Sequence, residues 1–242
     1  MINVNNVSVR YILGDFKDIG LKEYLIKKVK GQLVKKELWA LRDVSFHVNK
    51  GEMLGIVGSN GSGKSTILKV LAGIMPPTKG NIKANGSVAA LLELGAGFDG
   101  DLTVQENVYL RGALLGYTKE FVEAEYDNII QFSELQEFQH VPYKRLSSGM
   151  KSKLAFSIAS RVNPDILVLD EVLSVGDMAF RRKSEARMRE MMSGGTTTIL
   201  VSHSLGQVRE LCSQVVWLEK GEMRGIGDTK TMCDMYEKYM KK

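Results

Sequence analysis

The sequence predicts an α/β fold: a parallel-sheet core joined by a small antiparallel sheet and a helical lobe. Three patterns predict it. Apolar runs without polar alternation at Met53–Val57, Ile166–Leu169 and 198–201 suit strands buried on both faces of a parallel sheet. Alternating residues over 2–11 and 44–48 suit two strands that pair antiparallel. From about residue 102 to 161 the apolar spacing becomes mostly helical. A chain of 242 residues with 44% hydrophobic content can bury a full core as one large domain or as a core with a smaller lobe. The expected division of this single domain, 1–242, is a core with its antiparallel sheet over 1–90 and 162–242, a helical lobe over 91–161, and a basic insertion over 14–36.

Taken in order, the first strand ends at Tyr11, and a basic stretch then interrupts the antiparallel pair. It holds Lys17, Lys22, Lys27, Lys28, Lys30, Lys35 and Lys36 among Leu21, Tyr24, Leu25, Ile26 and Val29. That spacing predicts a short amphipathic helix followed by a loop, either a solvated surface helix or one facing a membrane or a partner. After the strand at Met53–Val57 come Gly58-Ser59-Asn60-Gly61-Ser62-Gly63-Lys64-Ser65 and a helix over 66–72. Pro76-Pro77-Thr78-Lys79-Gly80 marks a turn, and short strands flank Asn85-Gly86. Residues 215–223 read as a closing hairpin, and a short helix from about Thr231 finishes the chain.

Strand, glycine loop, helix is the arrangement that holds a nucleoside triphosphate. Glycines let backbone N–H groups approach the phosphates and supply the φ > 0 angles of the turn. Lys64 would reach the β and γ phosphates, and Ser65 would place its hydroxyl on Mg²⁺ while opening a helix whose positive end faces the anion. Two other buried runs end in polar pairs, Asp170-Glu171 and Ser202-His203, and ligands of an open parallel sheet bind at the carboxyl ends of its strands. Asp170 would hold Mg²⁺ through water. A second acid beside it, next to a triphosphate, is costly through like-charge repulsion, so Glu171 is expected to orient and deprotonate the attacking water rather than form a solvated pair. His203 reads either as a satisfied core histidine or as a donor to the γ-phosphate. Leu146-Ser147-Ser148-Gly149-Met150 precedes a helix, Lys151 to Ala159. It is either a plain cap or a second anion site that serves a neighbouring copy's nucleotide.

Composition narrows the classes. No apolar run approaches the ~20 residues needed to cross a bilayer, and the polar opening is no signal peptide, so the chain is expected in the cytosol. Cys212 and Cys233 have no metal spacing and read as reduced thiols. The net charge of +5 is compatible with nucleic acid, an anionic membrane surface, or neither.

These residues together resemble the ATP-binding cassette superfamily over nearly the whole length. The segment Gly58, Ser59, Asn60, Gly61, Ser62, Gly63, Lys64, Ser65 and Thr66 is similar to its Walker A loop and first helix, and 146–150 to its signature motif. Residues 166–171 resemble its Walker B strand with the catalytic glutamate, 174–177 its D-loop ending in Asp177, and His203 its switch histidine. The resemblance implies a P-loop ATPase that works as a head-to-tail homodimer, two ATP molecules with Mg²⁺ being enclosed between opposed Walker A and signature elements. Ser147, Gly149 and Asp177 would then touch nucleotide across the dimer. Glu93 takes the place of the superfamily's Mg²⁺-contacting glutamine, Gln105 lying too far along. Tyr11 is the expected adenine-stacking aromatic, with Trp39 as rival. Ser148 and Met150 depart from the usual signature while leaving its serine and Gly149 in place.

Within the superfamily the chain looks like the ATPase subunit of exporters for lipid-linked cell-surface polymers, O-antigen polysaccharide or alternatively teichoic acid. The features are 91–98, the Ser-Ser-Gly-Met signature, 173–177 and the basic insertion, whose lysines a negative leaflet would attract. The expected partners are a second copy and two copies of a transmembrane permease at the cytoplasmic face of the inner membrane, with lipid-linked polymer reached through the permease. Nucleic acid is not expected; a soluble cassette acting on DNA or ribosomes, and an importer of a small solute, are the competing classes. The chain stops soon after Gly221, so a C-terminal carbohydrate-binding domain is expected to be missing and polymer selection to lie in the permease.

Overall fold

The computed structural model describes residues 1–13, 36–92, 94–170, 176–202 and 204–241. The basic insertion expected over 14–36 therefore lies, but for Lys36, outside the described residues.

The first two predicted strands are long and pair antiparallel: β1 Ile2–Leu13 with β2 Lys36–Val48, Val4 opposite Phe46 and Val7 opposite Val44. The alternation slips a residue between Val4 and Val7, so the buried apolar set is Ile2, Val4, Val7 and Val9. The slip is a bulge in which Asn6 adopts a left-handed φ of 48° and exchanges hydrogen bonds with the Ser45 hydroxyl. Asparagine tolerates that conformation better than a β-branched residue would, so the extra residue is absorbed without losing the core face. A third strand, β4 Lys79–Ala84, joins β1 on its other edge.

The second sheet has β5 Val88–Leu91, β6 Ile166–Leu169, β7 Thr197–Val201, β3 Met53–Val57, β8 Gln214–Glu219 and β9 Glu222–Asp228 in that spatial order. All neighbours are parallel except β9, the second strand of the predicted closing hairpin. Every residue of β6 and β7 is buried, because both faces are covered. One face, with Leu54, Ile56, Val168 and Ile199, packs on helix α1 Lys64–Leu71 and on the three-stranded sheet. The other face, with Val57, Leu167, Leu169 and Leu200, packs on later helices through Phe156, Phe180, Met188 and Val208. The Asn85-Gly86 turn does not make a hairpin: it carries the chain from one sheet to the other.

Between β5 and β6 run α2 Val104–Leu114, α3 Lys119–Ser133 and α4 Ser148–Ala159, which share an apolar cluster of their own around Val108, Ile129, Leu154 and Ile158. Thr103 opens α2 with a full capping box, its hydroxyl accepting from the Glu106 amide while the Glu106 carboxylate accepts from the Thr103 amide. Helices α5 Met178–Met192, α6 Leu205–Leu211 and α7 Thr229–Met240 complete the fold. Among the described residues no helix is long and apolar enough to cross a membrane. Cys212 and Cys233 are free and buried, and burial pushes the Cys212 thiol up to about 12.

Because β6, β7 and β3 are adjacent and parallel, their carboxyl ends, with Asp170, Ser202 and the glycine loop, lie along one edge of the sheet. That edge is the place the polar strand endings predicted for a ligand.

Candidate nucleotide site

Six of the seven described α-helices begin at a side chain that caps them: Thr103, Thr118, Ser147, Asp177, Ser204 and Asp228 each accept from a first-turn amide. The exception is α1, whose N-cap is Gly63 with φ 106° and no side-chain bond. Its leading N–H groups and positive dipole end face the loop with no capping side chain among the described residues, a ready anion seat. Gly61, with φ 77°, makes the turn that brings the chain there.

Lys64 is only 8% exposed, and its Nζ donates to the carbonyls of Gly58 at 2.7 Å and Ser59 at 2.9 Å. Burial pulls its pKa below that of an ordinary lysine, while the charges of Asp170 and Glu219 work against that fall. A buried ammonium held by loop carbonyls beside a helix start that no side chain caps suits a polyphosphate. The Ser62 hydroxyl is buried beneath the loop without a hydrogen-bond partner.

A cleft of about 550 Å³ opens above the loop. Asn60, Gly61, Gly63, Lys64, Ser65 and Thr66 form its floor, Asp170 stands at the end of β6, and Tyr11, Leu38, Trp39 and Ala40 from β1 and β2 form a wall. The two aromatic candidates differ in setting. Tyr11 lies across from Leu38, packs on the core and donates its hydroxyl to Met75 Sδ at 3.6 Å. Trp39 lies across from Arg10, and its ring is already approached by Arg10 at 5.6 Å and Lys79 at 5.5 Å from the centroid. Ser65 and Asp170 line the cleft together, and among the described residues no cluster of three metal-ligating side chains exists. One carboxylate with one hydroxyl fits Mg²⁺, which keeps waters and phosphate oxygens for the rest of its shell. Glu93, Glu171 and His203 lie outside the described residues.

The structure places Ser147, Gly149 and Asp177 away from this cleft. Ser147 is exposed and caps α4, which starts at Ser148 rather than at Lys151, its hydroxyl accepting from the Met150 amide at 3.2 Å. Asp177 caps α5 by accepting from the Phe180 amide at 2.9 Å and pairs with Lys153 of α4 at 2.7 Å. Lys153, and behind it the Phe180 amide, hold the Asp177 carboxyl at about 2. Lys153 also pairs with Glu134, which ends α3 in a left-handed conformation, φ 61°.

Two basic residues of the cleft, Arg42 and Lys220, were not expected from the sequence. They arrive because the β8–β9 turn docks on β2, the Arg42 amide donating to the Gly221 carbonyl at 2.8 Å, a pairing across the chain that no local pattern announces.

An uncapped helix behind a glycine loop at the edge of a parallel sheet defines a nucleotide-binding P-loop protein. Residues 41–174 match the sequence profile described as ABC transporter. The chain is similar, 42% identical over 242 residues that cover 99% of it and 98% of the relative, to the O-antigen export system ATP-binding protein RfbB of Klebsiella pneumoniae. It is 45% identical over 204 residues to the teichoic acids export ATP-binding protein TagH of Bacillus anthracis, covering 84% of this chain and 37% of that protein. Among solved structures it resembles in fold the dimeric post-hydrolysis state of the ATP-binding cassette MJ0796 bound to ADP and Pi, with a TM-score of 0.70 at 20% identity over 95% of this chain and 99% of that one. The chain belongs to the ABC transporter family, as an ATP-hydrolysing cassette.

Proposed function

We propose that this chain is the ATPase subunit of an exporter that moves a lipid-linked cell-surface polysaccharide of the O-antigen kind across the cytoplasmic membrane. The observation that carries the reading is the likeness to the O-antigen export ATPase from end to end, joined to an uncapped α1 and a buried Lys64 at the phosphate loop. The likeness to the teichoic acid export ATPase makes a polyol-phosphate polymer the alternative cargo.

In this reading Tyr11 stacks on adenine, since the ring of Trp39 is already approached by two cations. The amides of 58–66 and the Lys64 ammonium hold the phosphates, Lys64 exchanging the Gly58 and Ser59 carbonyls for phosphate oxygens. Ser65 and Asp170, with Glu93, would hold Mg²⁺, which when bound neutralises charge on the β and γ phosphates. Glu171 orients and deprotonates the attacking water, and His203 donates to the γ-phosphate oxygens as charge develops there. The exposed Ser147, with Gly149 and Asp177, contacts the nucleotide of a second copy, so that two chains close around two ATP molecules and reopen after hydrolysis. Two such chains join two copies of a transmembrane permease as a peripheral assembly on the cytoplasmic face, and the polymer passes through the permease.

The test is co-purification with the polymer-export permease encoded alongside. A stable complex whose ATPase activity exceeds that of the chain alone is expected; a chain that neither binds that permease nor gains activity from it rejects the proposal.

A further inference from the structure

Lys64 and Glu219 are the only buried charged side chains among the described residues, at 8% and 4% exposure, and both grip Ser59. Lys64 Nζ donates to the Ser59 carbonyl at 2.9 Å. The Ser59 hydroxyl donates to the Glu219 carboxylate, at 3.1 Å to one oxygen and 3.2 Å to the other. Burying a carboxylate is expensive, and doing so beside a polyphosphate site adds like-charge repulsion. A fold that keeps one there uses it.

The geometry shows what it is used for. Glu219 is the last residue of β8, the parallel neighbour of β3, which leads directly into the phosphate loop. Beyond it the chain turns through Lys220, a non-glycine residue with φ 52°, a conformation that disfavours side chains. The turn is fastened to the loop again, the Gly221 amide donating to the Ser62 carbonyl at 3.0 Å. The β8–β9 turn is therefore a bracket that meets the loop at Ser59 through a side chain and at Ser62 through the backbone.

We infer that Glu219 is a positioning residue for ATP: it fixes Ser59, and with it the first half of the phosphate loop, in the phosphate-accepting shape before the nucleotide arrives. The inference rests on the reading of 58–65 as the phosphate loop. Glu219 acts through Ser59 and touches no reacting atom. A preformed loop spares the nucleotide the ordering of that segment, so its loss weakens binding more than it slows the chemical step.

The experiment measures ATP and ADP dissociation constants, KM and kcat for the full chain and for Ser59→Ala, Glu219→Ala, Glu219→Gln and the double variant Ser59→Ala/Glu219→Ala. Ser59→Ala and Glu219→Ala are each expected to weaken both nucleotides by about 10- to 150-fold, the range of one lost hydrogen bond to a charged group, with kcat at saturating ATP falling by far less. The double variant should bind no worse than the poorer single one, because both changes remove the same contact. Glu219→Gln keeps a neutral acceptor for the hydroxyl and should stay within about tenfold of the parent. Parent-like affinities in Ser59→Ala and Glu219→Gln together with a lowered melting temperature in Glu219→Ala, or additive losses in the double variant, would overturn the inference. Should Glu219→Ala not fold, Ser59→Ala against Glu219→Gln decides alone: parent-like binding by Ser59→Ala rejects the inference. Lys64→Ala separates the two readings. If it binds ATP like the parent, the loop assignment itself fails; if it loses ATP while Ser59→Ala does not, only the role of Glu219 fails.

Discussion

Replacing Gly63 by alanine should damage the protein far more than the same change at Gly61, although both are loop glycines with positive φ. At Gly61, φ 77°, an added Cβ would meet nothing within 4 Å, so only the left-handed penalty applies, about 1–2 kcal/mol. At Gly63, φ 106°, the Cβ would lie 2.7 Å from the Ala40 carbonyl oxygen and 2.7 Å from Leu41 Cδ2. The carbonyl belongs to the β2 backbone and cannot rotate aside, so overpacking of about 1–3 kcal/mol adds to the conformational cost. The sum, about 2–5 kcal/mol, corresponds to a melting temperature lower by roughly 4–20 °C for a chain of this size, against about 2–8 °C for Gly61→Ala. Thermal unfolding followed by circular dichroism, with ATP affinity measured on the folded protein, checks both numbers. Relief of the collision must lift the start of α1 from β2, so ATP affinity should fall with stability in Gly63→Ala. Equal melting temperatures for the two variants would refute the reasoning.

Phe180, fully buried and edge-on to Phe132 at 5.6 Å and Phe156 at 6.2 Å, ties α5 to α3 and α4; Phe180→Ala should cost about 3–5 kcal/mol in denaturant unfolding. Lys153 holds the Asp177 carboxyl down from 3.8 to about 2. A carboxylate depressed in the folded state stabilises fully above its unfolded pKa and loses that contribution as pH falls through its folded one. Between pH 4 and pH 2 the melting temperature of Lys153→Met should therefore fall less steeply than that of the parent, and parallel curves would refute the coupling. Ser147→Ala should reduce steady-state hydrolysis while the isolated chain still binds ATP with parent affinity, because Ser147 stands away from its own chain's cleft; loss of binding by the monomer would contradict its placement across a dimer.

The parallel core was legible because unalternated apolar runs such as Ile166–Leu169 have one stable home, a strand covered on both faces, and the structure buries every residue of that run. The phosphate loop was legible for a similar reason, since its chemistry demands glycines in a short contiguous order. What local pattern did not disclose is long-range. The period-two reading of β1 carried no sign of the bulge at Asn6, which depends on the Ser45 hydroxyl across the sheet. Asn85-Gly86 reads as a break between two short strands, and nothing local shows that those strands enter different sheets. Glu219 and Lys220 reach the site because β8 lies beside β3, and Arg42 because β2 walls the cleft, long-range placements that no local pattern shows. Asp177 was read for its place in a motif, whereas the structure also gives its carboxylate to an α5 cap and to Lys153.

In the proposed cycle two chains, each holding nucleotide on its own phosphate loop, close through exposed Ser147 on the other's ATP. This closure is tested most directly by sedimentation velocity of Glu171→Gln with saturating ATP and Mg²⁺, a variant expected to slow hydrolysis by about 10²- to 10⁴-fold while leaving binding intact. The account predicts a species of twice the chain mass that returns to a single chain when ATP is replaced by ADP. A particle that stays at the mass of one chain in ATP would contradict it.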